Sequence, residues 1–170
     1  MSIADIDEQR IRAALTRKGL AAAGLRIALS RRLGLTESEV LAIQHLGWAG
    51  RLTPSRLTAL VGLSSGGGSA LVQRLERAGH VEREPHPIDR RSSVLRLTEA
   101  TRAAVDDALG PMVRDLDDLA AELSEIERVV VARFLSRAAE VQERRADELA
   151  RHAELEARAG LGIPVPGLWG

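Results

Sequence analysis

The sequence predicts a mainly α protein with one small β-hairpin, an α+β class, and three observations carry that expectation. Apolar residues recur at helical spacing over both ends of the chain and in two short capped stretches between them. One break in this pattern, from Val81 to Leu97, holds two short, partly alternating segments around Pro85, Pro87 and Asp89, a stretch that cannot be helical. Aromatic residues make up only 2% of the chain. Its core must therefore be built from leucine, valine, isoleucine and alanine, which favours helices over sheets.

The elements follow in order. Ile11, Leu15, Ala22, Leu25, Leu29 and Leu33 form an apolar stripe on a first helix that Gly34 ends. Thr36 and Glu39 form a capping box for a helix through about Leu46. Thr53 caps a short helix from about Pro54 to Val61, since proline's fixed φ suits the first helical position. Gly62 takes the left-handed conformation that closes it, and Leu63 folds back as the accompanying hydrophobic contact. Ser64 or Ser65 caps the next helix, whose apolar face is Leu71, Val72 and Leu75, and Gly79 ends it.

Val81 to Glu84 and Val94 to Leu97 then pair as a hairpin with a long tip. Thr98 caps a helix that meets Gly110 and Pro111 in its middle, where the proline removes a backbone hydrogen bond and bends it. A second capping box, Ser124 and Glu127, opens a long helix through Ile126, Val130, Phe134, Ala138 and Val141. The charged stretch from Glu140 to Arg158 extends it as a solvated arm. Gly160 to Gly170 reads as an irregular tail, with Leu168 and Trp169 available to dock.

Two capped helices joined by a tight turn and followed by a basic hairpin are how a winged helix-turn-helix holds DNA. Ser65, Gly66, Gly67, Ser69 and Gln73 remain outward on the second of these helices, and such small or hydrogen-bonding groups suit base edges and phosphates. Thr53, Ser55, Ser64 and Arg74 join them as candidate DNA contacts. On the hairpin, Arg83, Arg90, Arg91 and Arg96 form a cationic cluster whose guanidinium groups bind phosphates or enter a narrow minor groove. Asp89 is expected to orient Arg91 across the loop through a charge-assisted hydrogen bond.

The formal net charge is zero, yet its distribution is polar. Residues 51 to 96 hold eight arginines against Glu76, Glu82, Glu84 and Asp89, a net of +4, whereas residues 97 to 150 hold seven arginines and thirteen acids, a net of −6. A positive reading head on a negative helical remainder steers the molecule toward a duplex.

The run LSSGGGSALVQRLERAGHVEREPHPIDRRSSVLRLTEA, with Asp89 and Arg91 as an Asp-x-Arg followed by hydrophobic strand residues and Leu97-Thr98, resembles the core of the MarR family of bacterial transcription regulators. The resemblance spans residues 36 to 125 in detail and the flanking helices more loosely. It implies a homodimer on a palindromic operator of double-stranded DNA, with the recognition helix in the major groove and the wing in the adjacent minor groove. It also implies a winged helix-turn-helix lobe at 36–98, dimerisation helices at 1–35 and 99–158 that interlock with a partner's, and a tail at 159–170. MarR-like proteins often hold a small aromatic effector between the dimer helices and the DNA-reading lobe. His45 and Trp48 are the candidate ligand-binding residues there, and the alternative is that both simply pack the interface.

Family members often carry bulkier residues where this chain has Gly66, Gly67, Gly68 and Ala70. Each glycine weakens a helix by about 1 kcal/mol relative to alanine. Either the glycines let the backbone approach DNA closely and the first turn orders on binding, or this helix reads few bases and specificity lies in the wing and in DNA shape. A nucleotide-phosphate loop is disfavoured, because no lysine follows the glycines.

Other classes are excluded by what the chain lacks. Without cysteine there are no disulfides, thiolate metal sites or thiol-based oxidant sensing. His45, His80, His86 and His152 show no i, i+4 pairing that suggests a metal site, and no serine, histidine and acid set has catalytic spacing. No enzyme and no cofactor are expected. Asp5, Asp7 and Glu8 replace the basic start of a signal peptide and no spanning segment is visible, so the expectation is a cytoplasmic protein without membrane contact. Two function classes stay open: a dimeric, ligand-responsive repressor, and a winged-helix protein interaction module without DNA binding.

Overall fold

The computed structural model describes residues 3–89 and 91–158. The order of elements is α1 (Ile3–Leu33), α2 (Glu37–Ala49), α3 (Pro54–Val61), α4 (Ser65–Arg77), β1 (Val81–Pro85), β2 (Ser93–Leu97), α5 (Glu99–Ala121) and α6 (Glu125–Arg158). The chain divides into two compact units, Met1–Gly110 and Pro111–Gly170. Arg90, a candidate wing contact, and the tail from 159 to 170 lie outside the described residues.

Local capping chemistry sets most helix boundaries. Thr36 accepts from the Glu39 backbone N–H while the Glu39 carboxylate accepts from the Thr36 N–H at 2.9 Å, a reciprocal box that starts α2. That helix runs to Ala49, past the expected end near Leu46. Thr53 caps α3 with Pro54 in its first turn, and Ser64 rather than Ser65 caps α4 by accepting from Gly67 N–H. Gly62 has φ 72°, a left-handed value that a side chain would strain, and it lets Leu63 N–H turn back to the Thr58 carbonyl. Gly79, at φ 74°, does the same after α4, where His80 N–H reaches the Leu75 carbonyl. The Ser124–Glu127 box opens α6, with the Ser124 backbone N–H donating to the Glu127 carboxylate at 2.8 Å.

β1 and β2 pair antiparallel in the register Val81↔Leu97 through Pro85↔Ser93, each slightly longer than the sequence pattern indicated. A third segment joins them unforeseen. Leu52, just before α3, exchanges two backbone hydrogen bonds with Leu95 at 3.1 and 2.7 Å, so the central strand is paired on both sides at that point. This bridge ties the start of the helix-turn-helix to the base of the wing.

The first unit's core gathers Ile43 and Leu46 of α2, Leu57 of α3, Leu71, Val72 and Leu75 of α4, and Val81, Leu95 and Leu97 of the hairpin, all buried. Each such side chain contributes roughly 1.5–3 kcal/mol by leaving water. That core holds α4 and the wing on one common base. In the second unit, Val130, Phe134, Leu135 and Val141 of α6 stay exposed, as do Val113, Leu116 and Leu119 of α5. Pro111 lies inside α5, where the two units divide. Among the described residues no helix is long and apolar enough to cross a membrane.

Candidate nucleic-acid interface

The helix-turn-helix is assembled by an unusually close approach of α3 and α4, which assigns separate roles to the three glycines. A methyl group on Gly68 would overlap Oγ1 and Cγ2 of Thr58 and come within 2.6 Å of its Cβ. Gly68 is buried, and its absence of a side chain is what allows the two helices to meet. A methyl on Gly66 would meet nothing within 4 Å, and one on Gly67 would touch only Ser64 and Leu63. Packing against α3 is thus the reason for Gly68, an explanation outside both DNA-based readings of the glycine run, and Gly66 alone has open space before it.

Ser64, Ser65, Gly66, Ser69 and Gln73 are exposed, together with Ser55 on α3. Several of these polar side chains are already engaged, Ser64 as the cap of α4. Thr53 Oγ1 accepts from Arg56 N–H and lies 3.3 Å from Ser55 Oγ, while Gln73 Oε1 accepts from Arg77 Nη2 at 3.2 Å. The Gln73–Arg77 bond is a solvent-exposed i, i+4 contact worth only about 0.2–0.5 kcal/mol, so a base edge can displace it.

The arginines divide into two sets. Arg74 donates through Nε to Glu39 Oε1 at 2.9 Å, and Arg83 reaches Glu76 on α4 at 2.9 Å and Ser93 Oγ at 2.8 Å. Arg96 pairs with Glu82, which faces it across the strands at 2.8 Å, and with Glu84, which also takes Arg51 at 3.2 Å. Four of the eight arginines of the basic stretch are therefore internal struts. Arg83 and Arg96 brace the wing's base and do not join a cluster at its tip, because strand register sets Arg96 opposite Glu82 while packing against α4 brings Glu76 to Arg83. Arg56, Arg77 and Arg91 make no ion pair among the described residues. Residue spacing had not singled out Arg56 or Arg77; the signal was that neither has an acid within reach, which only the folded arrangement reveals.

Burial on its own would raise the Glu39 carboxyl, but hydrogen bonds from the Thr36 backbone, Arg74 and the Thr36 hydroxyl outweigh it and hold the group below its ordinary value. It stays an anion and anchors Arg74 to α2.

The wing tip is shaped by two side-chain acceptors. His86 Nδ1 accepts from the backbone N–H groups of Ile88 and Asp89, at 3.3 and 3.1 Å. Asp89 Oδ1 accepts from the Arg91 backbone N–H at 3.0 Å, and the Asp89 carbonyl takes both the N–H and the hydroxyl of Ser92. The expected Asp89 bond to the Arg91 guanidinium is not formed. A carboxylate two residues upstream reaches a backbone N–H in a tight Asx turn, and the guanidinium is left pointing to solvent. Asp89 therefore orients Arg91 through the main chain.

His45 is half-buried on α2 and Trp48 is 91% exposed one turn on. Neither lines the cleft at Leu33, His80 and Thr101 or the one at Gly50, Arg96 and Arg102. Among the described residues no cluster of histidine and acidic side chains is arranged to hold a metal ion.

Residues 33–92 match the family model described as MarR family. The HTH-type transcriptional regulator YcgE of Bacillus subtilis (strain 168), itself described as uncharacterized, is 34% identical over 122 residues, spanning 72% of this chain and 79% of that protein. Among solved structures, apo wild-type MarR from E. coli superposes with TM-score 0.50 at 22% identity, covering 76% of this chain and 94% of MarR. NadR in complex with 4-hydroxyphenylacetate superposes with TM-score 0.54 at 18% identity, covering 83% and 95%. With the capped helix-turn-helix, the braced hairpin and this extent of sequence identity, the chain belongs to the MarR family of DNA-binding transcriptional regulators.

Proposed function

We propose that the protein acts as a homodimeric repressor, holding a palindromic operator through α4 in the major groove and the wing in the minor groove, and leaving it when a small effector binds. The single observation that carries the DNA contact is the division of the arginines: Arg56, next to Ser55 on α3, and Arg91, at the wing tip, stand exposed with no acidic partner among the described residues. In this reading residues 36–98 form the DNA lobe, and residues 1–35 and 99–158 the dimer.

A second copy of the chain is supported by apolar surface. Ile126 is 78% exposed, and Val130, Phe134 and Val141 extend the same helix's uncovered hydrophobic face. Binding of a small molecule has a precedent in the structural neighbour NadR, solved in complex with 4-hydroxyphenylacetate. His45 and Trp48 remain candidates for ligand contact, and Trp48's exposure leaves it open to a partner chain.

The test is fluorescence anisotropy of full-length protein with a palindromic duplex recovered by selecting bound genomic fragments. Affinity should fall steeply with salt as arginines displace counterions from phosphates. Binding that is salt-independent, or no enrichment of any fragment in dilute buffer, rejects the reading. Sedimentation of the same sample checks the dimer.

A further inference from the structure

The tip of the wing carries an apolar side chain that the fold leaves in water. Ile88 is 89% exposed, and among the described residues of 36–98 the only other large hydrophobic side chain left exposed is Trp48 on α2. A single exposed apolar residue is ordinary on a protein surface. Its place distinguishes this one, because Ile88 occupies the tip of the hairpin that also carries the exposed Arg91.

Local bonds hold the backbone beneath it. Beyond the last strand pair, Pro85↔Ser93, His86 N–H still donates to the Ser92 carbonyl at 3.1 Å and closes the base of the tip. Pro87 fixes its own φ and restricts His86 before it. Ile88 N–H donates to His86 Nδ1 at 3.3 Å, and Asp89 N–H donates to the same nitrogen. Branching at Cβ leaves isoleucine few χ1 rotamers, so it loses little side-chain freedom on contact. The result is a stiff apolar projection beside a cation. Phosphates gain nothing from a hydrocarbon, and base edges in the minor groove present hydrogen-bonding atoms. The largest apolar surface a duplex can offer such a side chain is the face of a base pair, reached by opening a step.

We propose that Ile88 is a wedge: it enters one base step of the operator from the minor groove, partly unstacks it and bends the duplex. The wedge rests on the reading of the wing as a minor-groove contact. Arg91 draws the wing to the groove by charge, irrespective of sequence, and Ile88 adds discrimination by deformability. Pyrimidine–purine steps open most readily, so the sequence beneath the tip is selected by the energy of opening it, with no hydrogen bond to a base. In a homodimer the two wings mark two steps related by the operator's twofold symmetry.

The probe is the duplex recovered from genomic fragments, with 2-aminopurine replacing one adenine at a time, titrated with the full chain. A second sample carries a donor and an acceptor dye at the duplex ends to read bending. Wild-type protein should raise the fluorescence of 2-aminopurine about threefold at one symmetry-related pair of steps and bring the duplex ends closer. Ile88→Ser should abolish both signals and weaken binding about fivefold, with the slope of log affinity against log salt unchanged because no phosphate contact is lost. Ile88→Leu should retain both signals. Exchanging the marked pyrimidine–purine step for a purine–pyrimidine one should weaken the wild type and leave Ile88→Ser unaffected. Bound wild type without a fluorescence rise, signals that persist in the serine variant, or a serine variant that matches the wild type in affinity and step preference overturns the wedge and leaves the DNA-binding reading standing. Failure of the wild type to bind any duplex sinks that reading, and the wedge with it.

Discussion

Arg74 Nε and Glu39 Oε1 meet at 2.9 Å across 35 residues of sequence, joining the recognition helix to the capping box of α2 through one carboxylate. Glu39 thereby serves as helix cap and as anchor. Glu39→Ala removes both and should cost about 2 kcal/mol, since a cap contributes about 0.5–2 kcal/mol and the half-exposed arginine adds only a screened charge-assisted bond. Urea unfolding measures this. A loss below about 0.5 kcal/mol would contradict the double role.

The same carboxylate makes stability depend on acid. Its folded pKa lies below the ordinary 4.5, so the stabilisation is fully present above that value and is lost as pH falls through the lowered one. Unfolding free energies of wild type and Glu39→Gln should therefore differ at pH 7 and converge at strongly acidic pH. Parallel curves across that range would show that the ionised group contributes nothing.

Gly68 and Gly66 should respond oppositely to alanine. At Gly68 the new methyl overlaps Thr58, and such overpacking costs about 1–3 kcal/mol. Thr58→Ala should not fully rescue it, because the Thr58 Cβ itself lies 2.6 Å from the new methyl. At Gly66, where nothing obstructs, alanine should stabilise by about 1 kcal/mol. Thermal melts of the three variants give the ranking.

Removing an arginine that contacts phosphate should reduce the slope of log affinity against log salt by about 1. Arg91→Ala and Arg56→Ala are expected to do so while leaving the dimer intact. Arg83→Ala should leave the slope unchanged and instead lower stability, since its guanidinium braces Glu76 and Ser93. Reversed behaviour in a salt titration would exchange these assignments.

The wing turn separates two accounts of Asp89. If Asp89 acts by accepting the Arg91 backbone N–H, Asp89→Asn keeps an oxygen in place and operator affinity should stay within about threefold, whereas Asp89→Ala loses the turn. If its charge oriented the guanidinium, both variants would fail equally. His86→Ala should resemble Asp89→Ala, because the imidazole holds two backbone N–H groups of the same tip.

Most helix starts and stops governed by neighbours three or four residues apart were legible in the sequence, although the end of α2 and the turn at Asp89 were not. The Thr36 and Ser124 boxes, the Thr53–Pro54 start, the Gly62 and Gly79 stops and the proline-interrupted hairpin each arise from a side chain meeting its own local backbone. The long-range pairings were decided by tertiary structure. Which arginines stay exposed depends on carboxylates brought up from α2, α4 and the opposite strand, and the need for glycine at position 68 depends on Thr58 packed against it. The bridge from Leu52 to Leu95 and the cleft beside His80 likewise join segments distant along the chain. Composition and periodicity specify which surfaces are apolar or charged. Only closure of the core, by fixing distances between those surfaces, determines which charges neutralise one another and which remain for DNA.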